Sequence, residues 1–164
     1  MKTLHLLRHA KSSWKDADMS DFERPLNGRG REAAPLIGQF ILKKKVRPDL
    51  IISSPAERAR QTALLVVKAA NLDAELRFDE RIYEADVARL LNVVSQIDET
   101  FGVALLVGHN PGMENLVATL TGEQQSMPTA ALARIILDVE KWSKVRERTG
   151  RLDWLVRPKE LADT

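Results

Sequence analysis

The chain has 164 residues, 44% of them hydrophobic and 29% charged. That is enough apolar matter for one globular domain over residues 1–164 and too much for a disordered tail. Lys and Arg number 25 against 23 Asp and Glu, a formal charge of +2, which is a poor electrostatic footprint for a nucleic-acid binder. With no cysteine, disulfide frameworks, thiolate zinc sites and cysteine nucleophiles are excluded.

The opening M-K-T-L-H-L-L-R-H-A is broken by His5 and again by Arg8 and His9, too early for the uninterrupted apolar stretch of a signal peptide. No later run approaches the ~20 apolar residues that span a bilayer. A cytoplasmic protein with no membrane contact is expected.

In chain order, residues 3–7 read as a first strand, followed by a polar, turn-rich stretch over 12–26. Asn27 can cap a helix in which Ala33, Ala34, Ile37, Phe40 and Ile41 recur at helical spacing. The lysines at 43–45 suit the negative end of its dipole, and Pro48 prevents continuation. Residues 49–53 form a second buried strand. Ser54 reads as an N-cap and Pro55 as a first helical residue, ahead of a stripe of Ala59, Ala63, Val66, Val67 and Ala70. A short strand is expected over 75–78, then a helix from near Asp86 with Leu90, Leu91, Val94 and Ile97 inward. Residues 103–107 are the most apolar strand. Asn110 (cap) and Pro111 (first turn) open a helix with Met113, Leu116, Val117 and Leu120, stopped by Gly122. Residues 130–139 and 152–156 look like two strands joined by the polar segment 140–151, whose Lys141, Lys144, Arg146, Arg148 and Arg151 surround Trp142 as a solvated connection or an acidic-partner patch.

The pattern is mostly strand–helix–strand, with a short antiparallel pairing at the end. It predicts an α/β fold in three layers: a mostly parallel sheet with a mixed edge and helices on both faces. Ligands of such sheets collect beyond the carboxyl ends of the strands. The first strand delivers Arg8 and His9, and the second S-S-P-A-E-R with Arg58. The strand at 103–107 delivers G-H-N-P-G with His109. Arginines, histidines and helix starts lining one crevice suit a compact multivalent oxyanion, and phosphate fits best. His5, inside the first strand, reads as a sheet-face or core residue. The N-G-R-G at 27–30 lacks the spacing of a phosphate loop, so capping and close packing account for it.

R-H-A at 8–10, S-S-P-A-E-R-A-R-Q-T-A at 53–63 and V-G-H-N-P-G at 107–112 resemble the motif set of the histidine phosphatase (phosphoglycerate-mutase-like) superfamily. R-H-A in place of R-H-G, R-P-L-N-x-x-G at 24–30 and G-H-N-P-G resemble its SixA-type phosphohistidine phosphatase branch. The match runs in order from Leu4 to about Thr121.

The resemblance implies a phosphoglycerate-mutase-like fold and a metal-independent phosphohydrolase without cofactors. His9 would be the nucleophile, and Arg8, Arg58 and His109 would clamp the phosphoryl oxygens. Lys11 and Ser12 could donate to the phosphate. D-E-R-I-Y-E-A at 79–85 offers Glu80 at the family's general-acid position, with Glu84 close behind where the family has Gly. The expected substrate is phosphohistidine on a protein. The alternatives are a small phosphate ester, or phosphate binding without turnover.

Overall fold

In a computed structural model, residues 1–162 are described, and they form one six-stranded sheet flanked by helices. The strands are β1 (Lys2–Arg8), β2 (Leu50–Ser53), β3 (Glu75–Phe78), β4 (Val103–Gly108), β5 (Leu132–Leu137) and β6 (Gly150–Val156). They lie in the order β3-β2-β4-β1-β5-β6. The first four run parallel, while β5 is antiparallel to both β1 and β6. This is the expected mostly parallel sheet with a mixed edge.

Alternation along the central strands sends side chains into two separate cores. Leu4, Leu6, Ala104 and Leu106 meet helices α3 (Val87–Ser95) and α4 (Gly112–Thr121) on one face. Leu7, Ile51, Leu105 and Val107 meet α1 (Gly28–Lys43) and α2 (Glu57–Ala70) on the other. A final short helix, α5 (Pro158–Ala162), packs beside α1. Among the described residues no helix is long and apolar enough to cross a membrane.

The expected caps hold in part. Asn27 Oδ1 accepts from Gly30 N at 2.9 Å, and Gly122 ends α4 in the left-handed region; Asp86, where a helix was expected to begin, caps α3 by accepting from Arg89 N at 2.9 Å. Ser54 and Pro55, by contrast, lie before α2, whose N-cap is Ala56. Pro111 is the N-cap of α4 rather than a first-turn residue. The segments 130–139 and 152–156 resolve into β5 and β6 with shifted ends.

Trp142 is no surface aromatic. It is fully buried, donates Nε1–H to Phe101 O at 2.7 Å, and lies under the Lys2 ammonium. That ring anchors the segment 141–151 to the core, while Lys141, Lys144, Arg146, Arg148 and Arg151 are all exposed, as a solvated connection requires.

N-G-R-G does pack closely. A Cβ on Gly30 would lie 2.1 Å from Lys11 O, the oxygen that also accepts from Asn27 N at 2.9 Å. Only glycine lets the start of α1 press against the chain leaving β1. That contact fixes the path of the segment following His9.

Candidate active site

The C-terminal ends of β1, β2 and β4 are hydrogen-bonded neighbours, so Arg8, Ser53 and Gly108 come together although they are far apart in sequence. Beyond them opens a cavity of about 590 Å³ lined by Arg8, His9, Ser12, Arg58 and His109, with Lys11, Trp14, Asp21 and Arg24 completing its wall. Arg8, His9, Arg58, His109 and Ser12 thus share one pocket, as the strand-end argument requires.

His9 is 7% exposed, and its Nδ1 lies 2.7 Å from Ala10 O. A carbonyl oxygen only accepts, so Nδ1 carries the proton and Nε2 keeps its lone pair. Burial lowers the His9 pKa to about 4, and the neighbouring charges of Arg58, Arg8 and Arg24 push the same way, against the Ala10 hydrogen bond. The imidazole is therefore neutral, with one nitrogen free. Its backbone is braced by Thr62, whose Oγ1 accepts from Ala10 N at 2.9 Å and donates to Arg58 O at 2.7 Å. One buried hydroxyl ties the chain that leaves β1 at His9 to the helix that carries Arg58.

Among the described residues, Asp21 is what holds the Arg58 guanidinium. Its Nη1 donates to Asp21 O at 2.7 Å and its Nη2 to Asp21 Oδ2 at 3.1 Å. Asp21 Oδ1 accepts from Arg24 Nη1 at 2.7 Å, and Oδ2 also accepts from Tyr83 OH at 2.6 Å. Tyr83 foremost, with Arg24 and Arg58 beside it, lowers the Asp21 pKa to about 2 against a weaker burial effect. Arg24 in turn donates Nε to Ser13 O at 3.1 Å, is hydrogen-bonded through Nη2 to Ser12 Oγ, and lies under the Trp14 ring. Arg8 donates Nη1 to Met127 O at 3.1 Å, while its buried Nε has no partner among the described residues. The His109 ring lies 5.1 Å from that of His9, tilted by 53°, and edge-on to Tyr83. Its Nε2 lies 2.8 Å from Ser54 Oγ.

Glu80 lies elsewhere. It lines a different cleft with Arg81, Arg89 and Asn92, which corrects the expectation that it stands over His9 as an acid. The reason is local: Glu80–Ile82 wind a single 3-10 turn capped by Asp79, and the residue that closes this turn, Tyr83, is the one that reaches Asp21 and His109. Glu84 sits at φ +53°, the left-handed region that suits glycine, and lines a cleft together with His109 and Asn110, which also line the pocket of His9. Ser12 lines the pocket, but its hydroxyl is engaged with Arg24.

Sequence reasoning missed Asp21, Tyr83 and Trp14, and met Arg24 only as part of a motif. All but Tyr83 belong to the aperiodic stretch 12–26, where no strand or helix pattern marks an inward residue. Among the described residues, no group of three or more His, Asp or Glu is placed to hold a metal ion.

Comparison with known proteins agrees with this geometry. A sequence model described as the Histidine phosphatase superfamily (branch 1) matches residues 4–99. The phosphohistidine phosphatase SixA of Escherichia coli is 28% identical over 157 residues, covering 93% of this chain and 92% of that protein. A protein histidine phosphatase SixA solved with tungstate superposes with a TM-score of 0.84 at 26% identity, covering 97% of this chain and 99% of the other. A SixA-type structure from Agrobacterium tumefaciens gives a TM-score of 0.83 at 30% identity, covering 96% and 98%. This chain belongs to the histidine phosphatase superfamily and shares the fold of its SixA members.

Proposed function

We propose that the protein is a phosphohydrolase working through a phosphohistidine intermediate, and that its substrate is phosphohistidine on a protein. Family membership and the similar SixA proteins support phosphatase activity. The observation that carries the reading is a neutral, partly enclosed His9 with Nε2 free among Arg8, Arg24 and Arg58.

In the first step Nε2 attacks phosphorus and the bond from phosphorus to the leaving group breaks. In the second, water attacks the phosphoryl group, the Nε2–P bond breaks, and inorganic phosphate leaves with His9 restored. The guanidinium groups of Arg8 and Arg58 neutralise the phosphoryl oxygens in both steps, and His109 lies beside them.

The nature of the leaving group follows from the acid question. Among the described residues the carboxylate lining the cavity is Asp21, and its three donors keep it ionised. An alkoxide leaving group needs a proton delivered, whereas the imidazole of phosphohistidine can depart already protonated. A pocket whose carboxylate is pinned as an anion thus favours a phosphoramidate over an ester. The reading keeps the cytoplasmic setting expected from the sequence.

Turnover of a phosphohistidine protein and of a panel of phosphate esters, with H9A as control, tests the reading. Release of phosphate chiefly from the phosphohistidine protein supports it. Faster turnover of an ester would assign the site to small-molecule hydrolysis, and phosphate binding without turnover would make it a docking pocket.

A further inference from the structure

Ser54 is fully buried directly after β2 and takes no part in capping α2 by the usual route. Its hydroxyl has two partners. Oγ accepts from Ala56 N at 3.2 Å and lies 2.8 Å from His109 Nε2. A serine hydroxyl has one proton to give, and among the described residues His109 Nε2 is the partner able to accept it. In the opposite arrangement, with Nε2 protonated and Oγ accepting twice, the buried hydroxyl proton would be left without an acceptor. An imidazole nitrogen that accepts a hydrogen bond bears no proton, so the neutral ring carries its proton on Nδ1. The ring is neutral because burial foremost, then His9 and Arg58, pull its pKa down to about 3. Nδ1 is itself buried and has no hydrogen-bond partner among the described residues.

We propose that Ser54 is a positioning residue that sets the tautomer of His109. By donating to Nε2 it places the ring proton on Nδ1, so that the ring offers a fixed N–H donor there instead of a lone pair. The consequence is electrostatic. The His109 ring lines the pocket, so its tautomer sets the direction of the ring dipole toward an anion held there, and a dipole set in advance needs no reorganisation when the phosphoryl group transfers. The tautomer itself is independent of what the enzyme turns over. Its effect on rate rests on the phosphoryl-transfer reading above.

The test is long-range ¹H–¹⁵N correlation on the full chain labelled at histidine. With three histidines in the sequence, an H109N sample identifies the His109 signals by their loss. Wild-type protein is expected to show His109 protonated at Nδ1 and bare at Nε2. Protonation at Nε2 would overturn the proposal without any variant being needed. In S54A, the His109 signals should move toward a mixture of tautomers, and turnover of N-phosphoimidazole should fall about ten- to a hundredfold. Lost activity with an unchanged tautomer would mean that Ser54 only supports packing, and this too would overturn the proposal. If wild-type protein turns over no phosphorylated substrate while the Nδ1–H tautomer is observed, the functional reading fails and the tautomer assignment stands.

Discussion

Tyr83 donates its hydroxyl to Asp21 Oδ2 at 2.6 Å, joining the loop before α1 to the 3-10 turn after β3 across the mouth of the pocket. The same oxygen accepts from Arg58, so one carboxylate decides where the Arg58 guanidinium points. Arg58 is 7% exposed and uses both of its Nη atoms on Asp21. Its aim therefore depends on a residue 37 positions away rather than on its own helix.

Removing that carboxylate should cost activity more than stability. D21A leaves Arg58 and Arg24 without their charged acceptor, and a misaimed guanidinium loses transition-state stabilisation. We expect kcat/KM on a phosphohistidine protein to fall about ten- to a hundredfold, the equivalent of losing a charge-assisted hydrogen bond of roughly 1.5–3 kcal/mol. D21N should retain more activity, because its amide oxygen still accepts. Paired kinetics and thermal melts check this, and equal activity of D21A and wild type would remove Asp21 from the machinery.

Titration of His9 follows from its enclosure. Burial and the adjacent arginines hold its pKa at about 4 instead of the usual value near 6.5. The ring should stay neutral, and hence nucleophilic, as pH falls from 7 to 5. An NMR titration of the labelled imidazole should give a midpoint near 4; a midpoint near 6.5 would mean that the ring is neither buried nor surrounded by the guanidinium groups as described.

The same enclosure makes the fold sensitive to acid. His5 is lowered to about 4, mainly by burial, and His109 to about 3. Each unfolded histidine takes up a proton as pH drops through about 6.5, while its folded counterpart refuses one until pH 4 or below. Stability is thus complete above pH 6.5 and is lost progressively as pH falls toward 4, by up to about 1.4 kcal/mol per pH unit for each such histidine. The lowered pKa of Asp21 acts only below its ordinary value of 3.8, outside this window. Urea unfolding at pH 7, 6, 5 and 4.5 should show the slope. H5L should reduce it, since His5 is in the sheet beside Trp154 and outside the pocket.

Glu80 should be dispensable for the chemistry. It faces the cleft of Arg81 and Arg89, so E80Q should change kcat/KM by less than about twofold on both phosphohistidine and ester substrates, as for surface changes in general. A hundredfold loss confined to esters would return it to the role of acid.

How much the sequence revealed depended on where each residue sits relative to regular structure. Arg8, His9, Arg58 and His109 follow apolar strands closely, and a parallel sheet must bring the ends of neighbouring strands together, so their meeting could be foreseen. The D-E-R-I-Y-E-A segment was legible as belonging near the site, but a single 3-10 turn decides which side chain turns inward, and it chose Tyr83 over Glu80. Asp21 and Arg24 sit in a stretch with no period, and their position rests on hydrogen bonds to residues distant in sequence, which local spacing does not encode. The burial of Trp142 beneath Lys2 was not legible, because it is a tertiary contact that the charged neighbours in sequence do not signal. Ser54 was read as a cap because capping is what serine before a helix usually does; its true partner lies 55 positions further along the chain.

The central claim is that His9 Nε2 accepts the phosphoryl group. Rapid acid-free quenching after mixing with a ³²P-labelled phosphohistidine protein, followed by peptide mapping, tests it directly. The account predicts an acid-labile, base-stable label on His9, attached at Nε2 and absent from H9A. Turnover with no label on His9, or label on His109 instead, would contradict it.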